Sequence, residues 1–168
     1  MIRQARAEEW EPLGRLMVRV YAGLEGFPTP AEQPAYYAML GDIGQFAKRP
    51  DTEILVAVSE DGNLQGGLVY FGDMAQYGAG GTATRESNAS GFRFLAVDPR
   101  TRGAGIGKAL TEACIERART RNHGAVVIHT TEPMRVAWRM YQRMGFVRAP
   151  DLDFDQAGLP VFGFRLRL

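Results

Sequence analysis

The chain has 168 residues, of which 45% are hydrophobic and 23% charged, and its net charge is +1. These values are typical of a globular domain; they exclude a disordered chain and give no overall attraction to nucleic acid or an anionic membrane. No apolar run approaches the roughly 18 residues of a membrane helix, no signal-peptide core begins the chain, and the single cysteine has no disulfide partner. We therefore expect one domain over residues 1–168, located in the cytoplasm.

Apolar spacing and turn residues predict seven strands and four helices. The strands are predicted at residues 2–6, 53–59, 64–71, 92–97, 125–128, 146–149 and 161–168. The helices are predicted at residues 8–24, 36–47, 105 or 106 to 121, and 135–144. Asp61-Gly62 between the second and third strands predicts a hairpin. This order of elements indicates a mixed α+β sheet domain.

Two stretches show no regular period. Residues 72–90 are rich in glycine, alanine and small polar residues, which predicts a long, lid-like loop. The segment before the last strand predicts an acidic loop, with Asp151, Asp153 and Asp155.

Glycine is frequent, at 20 of 168 residues, or about 12% against roughly 7% on average. Three glycines lie where the strand 92–97 leads into the next helix: Gly103, Gly105 and Gly107. The first N–H groups of a helix have no internal partner and lie at the positive end of its dipole, so an anion binds them where no side chain intervenes. Nearby cations strengthen this expectation: Arg100, Arg102 and Lys108. The segment predicts a phosphate-binding turn, although it matches neither the Walker loop nor the dinucleotide fingerprint.

Two blocks carry a resemblance to a known family. Residues 102–107, R-G-A-G-I-G, follow the pattern Q/R-x-x-G-x-G/A, and residues 137–146, A-W-R-M-Y-Q-R-M-G-F, follow A-x-x-x-Y-x-x-x-G-F. With the order of elements, these blocks resemble the GNAT superfamily of acetyl-CoA-dependent N-acetyltransferases. The resemblance implies a mixed, mostly antiparallel central sheet of about six or seven strands, flanked by about four helices, with a splayed pair of parallel central strands.

The same resemblance implies an acetyl-CoA site. N–H groups of the turn would hold the pyrophosphate, and the exposed backbone of the strand before it would pair with the pantetheine arm. The residues implied in this binding are Leu95, Ala96, Val97, Arg102, Gly103, Ala104, Gly105, Ile106, Gly107, Lys108 and Ala137. Family members often carry asparagine three residues before that alanine, whereas this chain has Met134, which weakens the implied pantetheine contact.

The resemblance also gives Tyr141 the role of the general acid that protonates the coenzyme A thiolate. From the helical pattern alone, Tyr141 is one more residue of an apolar stripe. The general base is not identified, because the strand 92–97 contains no carboxylate. Glu25, Asp42, Glu132 and the acidic loop are equal candidates, although each is more typical of a solvated surface charge, and ordered water is an alternative.

Other reactive side chains favour structural roles. His123 and His129 lack partners at zinc-ligand spacing, so no metal site is expected, and His129 is expected to be a satisfied structural histidine rather than a substrate contact. Cys114 lies on an apolar helical stripe and is expected to be buried and inert. Four residues fit an acceptor pocket and a hydrophobic core equally well: Tyr36, Tyr37, Met39 and Phe46.

These observations predict an N-acetyltransferase that moves an acetyl group from acetyl-CoA to a primary amine of a small molecule or protein, directly within a ternary complex. The alternative is a catalytically silent acyl-CoA-binding or regulatory module of the same fold, and the missing carboxylate on strand 92–97 is its support. We expect no nucleic-acid partner, no membrane, and a monomer or homodimer. The acceptor itself is not predicted.

Overall fold

The computed structural model describes all 168 residues, which form four α-helices and one eight-stranded sheet. The helices are α1 (Trp10–Ala22), α2 (Pro34–Gly41), α3 (Ile106–Thr120) and α4 (Arg135–Arg143). The strands are β1 (Ile2–Gln4), β2 (Thr52–Val58), β3 (Leu64–Phe71), β4 (Ala89–Val97), β5 (Ala125–Thr130), β6 (Val147–Arg148), β7 (Phe154–Gln156) and β8 (Leu159–Arg167). Their order is β1-β2-β3-β4-β5-β8-β6, and β7 pairs with β8 beside this path. None of the helices is long and apolar enough to cross a membrane.

The sheet is antiparallel except between β4 and β5. These two strands run parallel and pair only from Ala89 to Gly91, although β4 continues to Val97 and β5 to Thr130. Beyond Gly91 the two strands therefore diverge and leave a gap in the middle of the sheet. The expected α+β fold with a splayed parallel pair is confirmed.

Each face of the sheet packs against its own helices. On one face α1 and α2 contribute Leu13 and Leu40 to the core, and on the other α3 and α4 contribute Leu110 and Tyr141. The predicted stripes of α1 and α3 thus supply buried side chains, because apolar side chains at helical spacing lie on one side. In α4 only Tyr141 is buried, and Val136 of the predicted stripe is 77% exposed. Cys114 of α3 is buried, as expected.

A β-bulge in β4 changes which residues face which helices. The pairing with β3 shifts just after Gly67, and Phe94 lies opposite with a positive φ of 64°. Phe92 packs against Tyr141 on the α3–α4 face. The guanidinium of Arg93 lies 4.4 Å from the Phe94 ring, and Phe94 belongs to the α1–α2 core. Because a bulge inserts one residue, Arg93 and Phe94 both face α1 and α2.

The eighth strand, β7, lies in the stretch that the sequence predicts as an acidic loop. It forms a hairpin with β8 through Ala157 and Gly158, whose φ angles are 50° and 88°. The Asp155 carboxylate accepts a hydrogen bond of 2.7 Å from the Gly158 N–H and holds this turn. Three residues are too few for an apolar alternation to show, so the prediction of a loop was wrong here.

The loop between β3 and β4 is packed rather than lid-like. It is shorter than predicted, residues 72–88, because β4 begins earlier. Its backbone approaches β7 closely, since a Cβ on Gly80 would lie 2.7 Å from the Phe154 ring. Three of its side chains are buried: Met74, Tyr77 and Ala83. The second predicted helix also differs, because α2 ends at Gly41 and a 3₁₀ helix follows at Ile43–Lys48.

Candidate functional site

One cavity of about 730 Å³ passes through the gap between β4 and β5. On the α3–α4 face it begins at the turn before α3. On the α1–α2 face it ends among aromatic side chains. We call these two parts the glycine turn, residues 103–108, and the aromatic end, which is lined by Tyr36, Tyr77, Phe94, His129 and Phe154.

The glycine turn presents unpaired backbone N–H groups. Gly103 and Gly105 have φ angles of 85° and 74°, in the left-handed region, and a Cβ on either would meet no atom within 4 Å. The first bond of α3 runs from the Ala109 N–H to the Gly105 carbonyl, at 3.0 Å. The N–H groups ahead of it that have no acceptor in the protein are those of Gly103, Gly105, Ile106, Gly107 and Lys108. Such an arrangement of free N–H groups is suited to bind an anion.

The other predicted contact residues of this turn lie in different surroundings. The Ala104 N–H donates to the Thr101 carbonyl at 3.3 Å, so it is not directed at a ligand. Gly107 has an ordinary φ, and a Cβ there would make normal contacts, 3.5 Å from the Met140 sulfur. Arg102 and Lys108 both line the cavity; Lys108 lies 3.7 Å from Glu112, and Arg102 has no ion pair.

Arg100, a further expected anion contact, instead pairs with Asp98. The Asp98 carboxylate is buried and accepts hydrogen bonds from the Arg100 N–H at 2.9 Å and from its guanidinium at 2.8 Å. The side-chain bond contributes most to lowering the pKa of Asp98 to about 2. This pair fixes the start of the turn.

The Asp98 pair predicts a specific acid sensitivity. A carboxylate whose pKa is lower in the folded protein than in the unfolded chain stabilises the fold at any pH above its pKa in the unfolded chain. That stabilisation is lost as the pH falls through the pKa in the folded protein. Between about pH 4.5 and pH 2, the free energy of unfolding should fall by about 1–2 kcal/mol more in the wild type than in Asp98→Asn. Urea unfolding at several pH values measures this; parallel pH curves for the two proteins would contradict it.

The predicted pantetheine-pairing residues lie on the open edge of β4. Leu95, Ala96 and Val97 have no partner strand on the β5 side, because the pairing ends at Gly91. One backbone carbonyl of this segment already has a partner within the protein, because the Tyr21 hydroxyl donates to the Leu95 carbonyl at 2.9 Å.

The opposite wall of the gap is formed by α4 and the end of β5. Ala137 lines the cavity from α4, and Met134, just before that helix, accepts a hydrogen bond from the Thr130 hydroxyl at 3.6 Å. Thr131 also lines the cavity, and its buried hydroxyl has no partner. This hydroxyl is a polar group that a ligand in the gap would satisfy.

Tyr141 is held by the end of α4. Gly145 has a φ of 96°, its N–H donates to the Gln142 carbonyl, and the Phe146 N–H donates to the Tyr141 carbonyl at 3.0 Å. These two bonds are the Schellman ending, in which a glycine permits the left-handed residue. The Phe146 ring packs 5.6 Å from that of Tyr141. The glycine and phenylalanine of the Y-x-x-x-G-F pattern therefore hold the tyrosine in place.

The Tyr141 hydroxyl makes no hydrogen bond within the protein. It lines the cavity, while its ring packs against Phe92 and Phe146. Burial raises the pKa of Tyr141, so the phenol stays protonated at neutral pH. A protonated hydroxyl that faces a cavity is suited to donate a proton or a hydrogen bond to a bound ligand.

His129 at the aromatic end has partners on both ring nitrogens. Nε2 lies 2.8 Å from the Leu152 carbonyl, so it carries the proton, and Nδ1 accepts from the Tyr77 hydroxyl at 2.9 Å. Burial is the main cause that lowers the pKa of His129. The histidine is therefore neutral and satisfied, as expected, although it also contacts the cavity.

None of the side chains that line the cavity is a carboxylate. Glu25, Asp42 and Glu132 are exposed elsewhere. In the acidic segment, Asp153 pairs with Arg148 at 2.7 Å. The structure thus brings none of the candidate bases into the cavity, and no three His, Cys, Asp or Glu side chains are grouped to hold a metal.

The aromatic end includes residues that the sequence analysis did not select. Arg93 lines the cavity on the α1–α2 side of β4, and Phe154 and Gln156 reach it from β7. A charged residue between two phenylalanines, Phe92-Arg93-Phe94, was the available signal for Arg93, because buried strands seldom carry an unpaired charge. Of the four residues left open, Tyr36 lines the cavity, whereas Tyr37 and Phe46 are core residues and Met39 packs against that core.

Comparison with known families decides the assignment. Residues 16–146 match the sequence profile of the Acetyltransferase (GNAT) family. The chain belongs to the GNAT acetyltransferase family. This membership agrees with the resemblance of the glycine turn and of the block around Tyr141, and it supports acyltransferase activity.

Individual GNAT relatives cover the chain to different extents. The N-acetylaspartate synthetase of Rattus norvegicus is 30% identical over 80% of this chain and 41% of that protein. The mycothiol acetyltransferase of Cellulomonas flavigena is 35% identical over 61% of this chain and 30% of that protein. The chain thus spans less than half of the length of these curated relatives.

Solved GNAT structures share the whole fold. The PaiA N-acetyltransferase of Thermoplasma acidophilum, solved in complex with coenzyme A, matches with a TM-score of 0.76 at 15% identity, over 100% of this chain and 98% of that one. A GNAT-family acetyltransferase of Staphylococcus aureus Mu50 matches with a TM-score of 0.75 at 16% identity, over 99% and 98%.

Proposed function

We propose that this GNAT domain transfers an acetyl group from acetyl-CoA to a primary amine, directly within a ternary complex. The observation that carries the proposal is the single cavity through the sheet, which joins an anion-binding turn to a second compartment past the unpaired hydroxyl of Tyr141. Two substrates entering from opposite faces would meet in the gap between β4 and β5.

The residues of the α3–α4 face fit acetyl-CoA. The free N–H groups of Gly105, Ile106 and Gly107 suit a pyrophosphate, and Arg102 adds an unpaired cation at the same mouth. The open edge of β4 and the unpartnered Thr131 hydroxyl suit the amides of a pantetheine arm. Further predicted contacts of acetyl-CoA are Leu95, Ala96, Val97, Lys108 and Ala137.

The proposed reaction needs one proton to reach the sulfur and one to leave the amine, and the phenol must then be reprotonated. The amine nitrogen forms a bond to the thioester carbonyl carbon, and the carbon–sulfur bond breaks. Tyr141 gives its proton to the departing sulfur, and solvent returns a proton to the phenol. Because no carboxylate lines the cavity, the amine reacts in its neutral form and loses its proton to solvent. An acceptor site that disfavours the ammonium ion is therefore required.

The missing carboxylate also favours a second candidate, a silent acyl-CoA-binding module of the same fold. Incubation with acetyl-CoA and a broad panel of amines, with detection of free thiol, separates the two. The transferase releases thiol with at least one amine. Acetyl-CoA binding by calorimetry without thiol release on any amine would leave the silent module instead.

The relatives' names do not fix the acceptor of this chain, since one is an N-acetylaspartate synthetase and another a mycothiol acetyltransferase. The proposal further includes a cytoplasmic monomer or homodimer that binds neither metal nor nucleic acid. The basic residues near α3 support the last point, because Arg117 pairs with Glu53 and Arg121 with Asp51.

A further inference from the structure

Arg93 is a partly buried cation without a counter-ion. Its guanidinium donates one hydrogen bond, from Nη1 to the Tyr77 carbonyl at 2.9 Å, and it forms no ion pair with any carboxylate. Burial in this apolar surrounding is the main cause that lowers its pKa. An arginine nevertheless stays protonated in a protein, so the charge persists. A charge that is partly withdrawn from water in this way is costly unless a partner compensates it.

The free donors of Arg93 face the cavity. Nε and Nη2 have no acceptor in the protein, and they are not among the fully buried unsatisfied atoms. The face of the guanidinium covers the Phe94 ring at 4.4 Å. Since one face is covered and Nη1 is used, the edge formed by Nε and Nη2 remains. That edge presents two parallel N–H groups, which match the two oxygens of a planar carboxylate.

The surroundings add positive charge and no negative charge. Arg49 lies close by: a Cβ on Gly78 would lie 3.2 Å from its Nη1 and 3.5 Å from Nη1 of Arg93. Arg49 donates to the Gln76 carbonyl at 2.9 Å and has no carboxylate partner. None of the residues that line the cavity is Asp or Glu, and His129 at this end is neutral. No carboxylate of the protein balances the charge of Arg93, so an anionic group bound in the cavity would do so.

We propose that Arg93 binds a carboxylate of the acceptor, so that the acceptors of this enzyme are amines that carry a carboxylate, such as amino acids. The inference rests on the proposed acetyl transfer and names the substrate class of the same cavity. Arg93 stands next to Phe92, whose ring contacts that of Tyr141 on the α3–α4 face of the sheet. A carboxylate held on Arg93 thus places its attached amine beside the gap where the thioester enters.

The positive charge of Arg93 also favours the reaction, because the site has no general base to deprotonate the amine. A guanidinium near the amine disfavours the ammonium form, because like charges repel in a low-dielectric site. The amino acid therefore binds with its carboxylate paired and its amine more readily neutral. Arg93 is a binding and specificity residue in this scheme, whereas Tyr141 handles the proton of the leaving thiol.

Matched acceptors test the inference. Alanine, phenylalanine, histidine, aspartate and glutamate are each compared with their carboxamides and decarboxylated amines in the thiol-release assay. We expect at least one amino acid to exceed its neutral counterparts about 50-fold or more in kcat/KM. Arg93→Gln should raise the KM of that amino acid about 10- to 100-fold, and Arg93→Lys less, while the Kd of acetyl-CoA by calorimetry is unchanged.

Arg49→Gln is the matched control. Arg49 also donates to a carbonyl of the 72–88 loop but does not line the cavity, so its replacement removes a neighbouring charge without removing the carboxylate-binding edge and should lower the preference for carboxylates much less than Arg93→Gln does. Equal turnover of amino acids and their neutral counterparts would overturn the inference and leave the transferase intact. A purely structural Arg93 would lower stability in Arg93→Gln and preserve the preference. Absence of thiol release with every amine would overturn the transferase function itself.

Discussion

Replacing Tyr141 with phenylalanine is expected to lower kcat about 100-fold or more while the Kd of acetyl-CoA changes less than about threefold. The hydroxyl has no partner in the protein, so its removal breaks no internal hydrogen bond. The ring contacts with Phe92 and Phe146 persist in the variant. What is lost is the proton donor beside the sulfur, and coenzyme A must then leave as an unassisted thiolate. Steady-state kinetics and calorimetry on the same preparations measure the two quantities.

Tyr37→Phe is the control for this variant. Its hydroxyl donates to the Pro28 carbonyl at 2.6 Å, away from the cavity, so turnover should be retained despite a small loss of stability. Unchanged kcat in Tyr141→Phe would remove this residue from the mechanism. A parallel loss of kcat and acetyl-CoA affinity would show that the hydroxyl binds the donor rather than protonating the thiol.

Local patterns in the sequence predict most of the fold because most elements bury one face. The stripe of α1 and the hairpin at Gly62 follow directly from helical and alternating periods. Two features lack such a pattern. Strand β7 has three residues, and its pairing depends on the turn at Ala157 and Gly158. The packing of the 72–88 loop depends on contacts such as Gly80 with Phe154, which join segments distant in sequence.

The candidate site likewise has one part that local sequence patterns predict and another that they do not. The residues of the proposed donor side lie within two contiguous blocks, so Gly105 is found from the glycine spacing and Tyr141 from the resemblance of residues 137–146 to the GNAT family. The proposed acceptor side is assembled across α2, β4, β5 and the β7–β8 hairpin, and no contiguous pattern encodes it. Arg93 is the clearest case. Simple alternation places Arg93 and Phe94 on opposite faces, and only the bulge with a φ of 64° at Phe94 directs both to the α1–α2 face.

Replacing Gly105 with valine is expected to weaken acetyl-CoA binding about 10- to 100-fold. Gly105 has a φ of 74° at the start of α3, and the space that its Cβ would occupy lies open, beside the unpaired N–H groups of Ile106 and Gly107. A branched side chain there strains the left-handed backbone and obstructs the approach of a pyrophosphate. Calorimetry with acetyl-CoA measures the loss. Activity with S-acetylpantetheine, which lacks the pyrophosphate, should fall much less.

Gly62→Val is the control that separates the effect of backbone strain from the effect on acetyl-CoA binding. Gly62 has a φ of 82° in the β2–β3 hairpin, and a Cβ there also meets nothing within 4 Å. Both variants should therefore lose a similar free energy of unfolding, about 1–2 kcal/mol, but only Gly105→Val should lose affinity. Equal acetyl-CoA affinity in the two variants would mean that the pyrophosphate does not bind at this turn. If Gly105→Val impaired acetyl-CoA and S-acetylpantetheine alike, the turn would position the helix rather than the phosphate, because the shorter donor has no group that reaches those N–H donors.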